Sequence, residues 1–410
     1  MSPSQSFEPS QSHPFITFDD RPAADEKLSQ RTWMLLGEAF SKCTHLARAP
    51  INPHLSQRMI RVYLASGAQA TTAIEGNTLS VEDVQKIVEK GTADVGPSRE
   101  YQEQEVRNVL DALTEIGAAL LEGHRIPITA ARLCALNAKV LERVPTEPHV
   151  IPGALREPGV DVTVGRAYQP PPGRDVAALT KEFEDWLRRI RLSRESEENA
   201  SDDTKFVVAV LSAILAHLYI AWIHPFGDGN GRTARLIETQ ILAESGVVPI
   251  VSTQLLSNHF NLTRDDYYRA LNEARQRPDH FIRYALQGFT DQLRDQIRQL
   301  QDQNMHLVWQ AYVRETFEMN HDRHTEAHTR QQWLALALPA AEDDAIPADR
   351  VSDLSTELAR AYALAGPRTP ARDLNTLVKL ELVIRTGPKS KPRYCANREI
   401  LQRFLPPVSS

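Results

Sequence analysis

The stretch His224-Pro225-Phe226-Gly227-Asp228-Gly229-Asn230-Gly231-Arg232-Thr233-Ala234-Arg235 decides how this chain of 410 residues is read. An apolar run from Phe206 to Ile223 delivers His224 into a turn holding three glycines, and a second helix is expected to start near Asn230. The first turn of a helix has backbone N–H groups without intrahelical partners, and glycine lets an anion approach them closely. Such a concavity favours a di- or triphosphate. Arg232 and Arg235 stand three residues apart, so on a helix they share a face and can grip outer phosphates with charge-assisted forks. Asp228 falls at the rim, where one carboxylate plus phosphate oxygens is the usual way to hold Mg²⁺. His224 is the residue here suited to moving a proton near neutral pH. Together these residues suit attack of a hydroxyl on a nucleotide phosphorus.

The spelling of the stretch resembles the signature of the Fic family, HxFx(D/E)GNGRxxR, with every specified position filled. A pattern this long is far more specific than an isolated glycine-rich turn. The resemblance implies an all-α catalytic domain with a small β-hairpin flap. It also implies a nucleotidyltransferase activity, the transfer of AMP from ATP to a Ser, Thr or Tyr hydroxyl of a target protein with release of pyrophosphate. On that reading His224 is the general base and Asp228 the Mg²⁺ ligand. Gly229, Asn230 and Gly231 line the anion hole, Arg232 and Arg235 hold the β and γ phosphates, and Pro225 and Phe226 pack inward. Downstream, Tyr267-Tyr268 with Leu271 resembles the family's segment at the adenine pocket.

A second signal lies upstream, in Thr71-Thr72-Ala73-Ile74-Glu75-Gly76. By local chemistry it is a helix end: Gly76 suits a C-cap, and Ser80 with Asp83 resembles the capping box of the next helix. It also resembles the inhibitory motif (S/T)xxxE(G/N) that Fic proteins often carry, with Thr71, Glu75 and Gly76 at the specified positions. The resemblance implies that Glu75 pairs with Arg235 and takes the partner that the γ phosphate needs. Thr71 and Glu75, four residues apart, are expected on one helical face.

Between these motifs the character of the chain changes. Pro152-Gly153, then Val160, Val162 and Val164 alternating with Asp161 and Thr163, and finally Gly165, read as a short hairpin. In the Fic family a flap of this kind pairs with an extended segment of the target. Val162, Thr163, Val164 and Gly165 are therefore the expected docking edge.

Composition bounds the rest. The length predicts two or three folded units. A formal charge of −6 argues against a general affinity for nucleic acid, and three scattered cysteines (Cys43, Cys134, Cys395) argue against a disulfide framework and fit a cytoplasmic, reducing setting. No basic n-region with an apolar run opens the chain, so no secretory signal is read there. The run from Phe206 to Ile223 reaches the minimum length for a membrane span. Because a catalytic loop follows directly, it reads as a buried central helix, with His217 as a hydrogen-bonded core histidine and no membrane partner.

The expected organisation is a flexible arm over 1–25, a helical region with the inhibitory motif over 26–125, the Fic catalytic domain over 126–320, and a winged-helix-like domain over 321–405. His321, His324 and His328 share a helical spacing but read as solvated linker. In the last domain, helical patterns at 326–338, 351–364 and 369–381 precede strands at Leu382–Arg385 and Arg393–Ala396. From Arg350 to Leu405, 11 Lys and Arg stand against 5 Asp and Glu. Arg372, Lys389, Lys391 and Arg393 could contact DNA phosphates, or the domain could dock a protein.

The leading expectation is thus an adenylyltransferase inhibited by Glu75, with ATP and an unidentified target protein as partners and self-modification as a further outcome. A hydrolase removing AMP in the same site and a DNA-binding regulator that senses nucleotide are the alternatives. A homo-oligomer is left open.

Overall fold

In a computed structural model of the protein, the described residues are 13, 15–18, 28–49, 53–160, 162, 168–195, 200–320 and 325–402. The chain divides into two compact units, residues 1–297 and 298–410. The sequence places the division near 320. The difference arises because Trp309, Val313 and Phe317, on the long helix after Pro278, are buried in the core of the second unit.

Among the described residues, the main elements of the first unit are helices. Its elements are α1 (Gln30–Arg48), α2 (Pro53–Ala73), α3 (Val81–Lys90), α4 (Glu100–Leu121), α5 (Ala130–Val140) and α6 (Gly173–Glu195). They continue with α7 (Asp202–Ile223), α8 (Asn230–Glu244), α9 (Leu255–Leu262), α10 (Arg264–Glu273) and the start of α11 (Pro278–Asn320). The apolar α7 is the axis of this unit. It packs mainly against α8 and also against α1 and α6, and Phe206, Leu211, Leu215 and Leu218 are fully buried. Length and composition alone would let α7 cross a membrane; here it forms the centre of the helical core. His217 is fully buried on α7, between Glu238 Oε2 at 3.0 Å and the Tyr267 hydroxyl at 2.8 Å. It is a hydrogen-bonded core histidine.

Part of the N-terminal arm is folded, contrary to the expectation of a loose segment. His13 Nε2 lies 2.8 Å from the Gln169 carbonyl, and the Tyr219 hydroxyl donates to the Thr17 carbonyl at 3.1 Å. Phe15 packs edge-on against Trp222, and Phe18 lies against Tyr219. Aromatic side chains of this size anchor even a polar, proline-containing segment.

The second unit contains α12 (Glu326–Ala337), α13 (Thr356–Ala363) and α14 (Thr369–Lys379). They pack with a small antiparallel sheet ordered β1 (Ile346–Pro347), β3 (Arg393–Ala396), β2 (Val383–Thr386). Sequence reading finds β2 and β3 but misses β1, which is two residues long and includes a proline, and so carries no alternation. The expected helix over 351–364 is shorter: a 3₁₀ stretch, Ala348–Asp353, precedes the Ser355 N-cap of α13. Asp373 ties the three helices together. Its carboxylate accepts from Arg330 Nε at 2.7 Å, Gln331 Nε2 at 2.9 Å and the Tyr362 hydroxyl at 3.2 Å.

Of the expected flap, Val160 and Val162 are described; Thr163, Val164 and Gly165 lie outside the described residues. His321 and His324 lie outside them too, and among the described residues no group of three His, Cys, Asp or Glu could hold a metal ion. Cys43, Cys134 and Cys395 are all free thiols.

Candidate active site

The motif occupies the junction of α7 and α8, and local chemistry explains its shape. Pro225 cannot continue α7, and the helix closes on His224, whose backbone is left-handed (φ 49°, ψ 60°) with its N–H on the Ile220 carbonyl at 2.9 Å. Phe226 is fully buried and anchors the loop. Asn230 clamps the turn from both sides: its Oδ1 accepts from the Phe226 amide and its Nδ2 donates to the Phe226 carbonyl, both at 2.9 Å. Its amide therefore serves the loop backbone. Gly229 is the N-cap of α8 at φ 75°, a conformation that glycine adopts without a Cβ penalty. Asn137 of α5 supports the same turn, donating to the Asp228 carbonyl at 2.8 Å and accepting from the Gly153 amide at 3.0 Å. Sequence reasoning missed Asn137, which looks like an ordinary polar position on a scaffold helix.

Burial, with a smaller contribution from Arg156, lowers the His224 imidazole from 6.5 to about 4 against the opposing Ala221 carbonyl, Glu75 and Asp228. The ring is therefore neutral at physiological pH and available to accept a proton.

The inhibitory motif reaches this site through a helix end. The Gly76 amide donates to the Ala73 carbonyl at 2.9 Å and the Asn77 amide to the Thr72 carbonyl at 3.2 Å, with Gly76 at φ 102°. This paired pattern with a left-handed glycine is a Schellman motif. Glu75 is thus the C-cap residue beyond α2, rather than a position on the helix face shared with Thr71. From there Glu75 Oε1 lies 2.6 Å from Arg235 Nη2, and the same nitrogen donates to the Thr71 carbonyl at 2.9 Å. Thr71 contributes its backbone oxygen. A Cβ built on Gly231 would meet Glu75 Oε1 at 2.2 Å, so the carboxylate rests directly on the glycine turn. Burial pushes the Glu75 carboxyl up, but Arg235, with Arg232 and His224, more than offsets this and holds it below the usual carboxylate range. Glu75 correspondingly raises the proton affinity of Arg235 against the opposing effect of burial.

Arg232 is also engaged. Its Nη1 lies 3.0 Å from Glu105 Oε1 on α4, and its Nη2 lies 3.4 Å from Asp228 Oδ2. Glu105 Oε2 in turn accepts from Asn77 Nδ2 at 2.9 Å. Glu105 is the second residue sequence reasoning missed, since nothing local marks one glutamate among several on α4. Asp228 is half exposed at the rim, and its Oδ1 accepts from the Gly229 amide at 2.5 Å. A single accessible carboxylate beside the glycine turn fits a hard cation that keeps most of its waters.

These groups border a cavity of about 560 Å³ lined by Glu75, His224, Asn230, Gly231, Tyr267 and Tyr268, with Trp222 and Leu271 among the other walls. That volume suits a nucleotide-sized ligand. Tyr267 is buried and stacks on Phe260, whereas Tyr268 is partly exposed and its hydroxyl lies 3.5 Å from the Ile74 carbonyl. Both expected tyrosines face the cavity that the motif borders.

Residues 127–242 match the Fic/DOC family. The chain is similar to a protein adenylyltransferase Fic of Nematostella vectensis, with 29% identity over 270 residues, 65% of this chain and 56% of that protein. It is also similar to one of Drosophila willistoni, with 33% identity over 216 residues, 52% of this chain and 38% of that protein. The chain thus spans little more than half the length of these curated relatives, or less. Among solved structures, a Fic family protein from Desulfovibrio desulfuricans G20 shares the fold at 22% identity and a TM-score of 0.52, covering 90% of this chain and 97% of that one. Fic-1 from Caenorhabditis elegans matches at 25% identity and a TM-score of 0.51, covering 66% of this chain and 73% of that one. The matched residues 127–242 include the motif at the α7–α8 junction, and over them the chain is similar to the Fic/DOC family.

Proposed function

We propose that the protein is a protein adenylyltransferase held inactive by its own Glu75. It transfers AMP from ATP to a hydroxyl side chain of a target protein and releases pyrophosphate. One observation carries the reading: the Glu75 carboxylate sits 2.6 Å from Arg235 and against Gly231, where an outer phosphate would bind. When Glu75 withdraws, Arg235 and Arg232 hold the β and γ phosphates, and the first turn of α8 offers its unpaired amides to the same group. Asp228 would hold Mg²⁺ together with phosphate oxygens, which adds positive charge where the leaving pyrophosphate develops negative charge. Neutral His224 accepts the proton of the target hydroxyl as its oxygen bonds to the α-phosphorus and the bond to pyrophosphate breaks. Positioning and charge stabilisation do the remaining work.

The adduct itself is the test. Incubation of Glu75→Gly protein with ATP and Mg²⁺, followed by peptide mass spectrometry of added lysate proteins and of the protein itself, is expected to find one AMP on Ser, Thr or Tyr. The adduct should be absent with Glu75→Gly/His224→Ala. Full adduct formation in the double variant would remove His224 from the reaction.

For the second unit, the exposed Arg372, Asn375 and Lys379 on α14, with Lys389 and Lys391 in the β2–β3 turn, favour a winged-helix-like face for DNA phosphates. Fluorescence anisotropy with duplex DNA is expected to show affinity that falls steeply with salt and weakens in Lys389→Ala/Lys391→Ala. Equal signals from both proteins would dismiss that face.

A further inference from the structure

Four backbone carbonyls converge on one buried side chain outside the motif. Arg156 Nε donates to the His224 carbonyl at 2.8 Å, and Nη2 donates to the Ile223 carbonyl at 3.3 Å. The same guanidinium donates to Pro171 through Nη2 at 2.9 Å and to Val160 through Nη1 at 3.0 Å. The Arg156 amide adds a bond to the Pro225 carbonyl at 2.8 Å. The side chain is 5% exposed, so these bonds are made away from water.

The position has a physical reason. The last carbonyls of α7 lack intrahelical donors and carry the negative end of the helix dipole, and Pro225 supplies no N–H to cap them. A guanidinium presents five donors in a rigid plane and can serve several carbonyls at once; an ammonium cannot reproduce that fork. His224 also occupies a left-handed backbone conformation, which is strained for an L-residue with a side chain and must be held by its surroundings. Arg156 binds the carbonyl of that very residue. Val160 and Pro171 are the two ends of the segment that contains residues 161–167.

We propose that Arg156 is a positioning residue for the transfer reaction: one guanidinium fixes the backbone of His224 and, through Val160 and Pro171, both roots of the segment expected to present the target hydroxyl. The His224 backbone and the chain at Val160 and Pro171 are thereby referred to a single rigid group. The inference rests on the transferase reading. Its charge has a second consequence in the same direction, since a cation beside His224 favours the neutral ring. The carbonyls that Arg156 serves belong to Val160, Pro171, Ile223 and His224 and not to Gly231 or the Glu75–Arg235 pair, so nucleotide affinity is separable from alignment.

The test uses Arg156→Lys and Arg156→Ala, each in the Glu75→Gly protein, with three measurements. These are the Kd for ATP, the rate of label incorporation from α-labelled ATP at saturating ATP, and amide hydrogen exchange. The proposal predicts a Kd for ATP close to that of Glu75→Gly and a rate lower by on the order of 100-fold in both variants, as expected for a misaligned attack. It also predicts faster exchange at residues 222–228 with α8 unchanged. An unchanged rate, or a rate that falls only in step with ATP affinity, overturns it. Should Arg156→Ala fail to fold, Arg156→Lys, which keeps charge and most of the volume, decides. Absence of label from Glu75→Gly itself would refute the transferase reading, and unchanged exchange at residues 222–228 would still refute the positioning role.

Discussion

Glu75 and Arg235, 160 residues apart in the chain, meet at 2.6 Å with the arginine fully buried and the glutamate side chain one-third exposed. The pair is asymmetric. Arg235 is fixed within the core and also bonds the Thr71 carbonyl, whereas Glu75 hangs from a helix C-cap whose conformation depends on Gly76. The pair is thus held on one side by the core and on the other by a helix end.

The lock has a second attachment through Asn77, Glu105 and Arg232. Glu105→Ala removes a charge-assisted pair of about 1–3 kcal/mol and unties the turn that carries Glu75. We expect partial release: label incorporation several-fold above the parent protein but below Glu75→Gly. Incorporation no higher than the parent would show that the Glu105 contact has no part in inhibition.

Gly231→Ala tests the anion hole. The added methyl group would meet Glu75 Oε1 at 2.2 Å and Arg235 Nη1 at 3.0 Å, in the space assigned to phosphate. In the Glu75→Gly background, ATP affinity should fall at least tenfold, about 1.4 kcal/mol, by calorimetric titration. Unchanged affinity would place the phosphates elsewhere.

Gly229→Ala should act on stability. At φ 75° an L-side chain is strained, and its Cβ would lie 2.9 Å from Asn137 Nδ2. A loss of about 1–3 kcal/mol in denaturant unfolding is expected. A loss under about 0.5 kcal/mol would mean the turn relaxes freely.

Two partly buried histidines predict how stability follows pH. Burial lowers both His224 and His259 to about 4 from an ordinary value of 6.5. Below 6.5 the unfolded chain takes up protons that the folded protein does not bind until about 4. Their contribution is therefore complete above pH 6.5 and is lost progressively as pH falls to about 4. Thermal unfolding should show Tm falling across that window, with a shallower slope in His259→Gln; an equal slope would dissociate His259 from it.

The motif was legible because its chemistry is local. His224, Gly229, Asn230 and Arg235 are read from one contiguous stretch, and Gly76 and Ser80 announce a helix end and a helix start by their own backbone preferences. Residues acting across the fold were not legible. Glu105, Asn137 and Arg156 lie on other segments, and only tertiary packing aims their side chains at the site. The arm around Phe15 and Phe18 was missed for the same reason: its composition is that of a solvated tail, and its anchors are aromatic faces on α6 and α7.

The central claim is that Glu75 blocks AMP transfer by occupying Arg235, and the parent protein compared with Glu75→Gly tests it most directly. Both are incubated with α-labelled ATP, Mg²⁺ and cell lysate, with Glu75→Gly/His224→Ala as control. Labelled protein bands, self-modification included, are expected with Glu75→Gly and little or none with the other two. Equal labelling by the parent and Glu75→Gly would contradict inhibition by Glu75, and no label from Glu75→Gly while it still binds ATP would contradict AMP transfer itself.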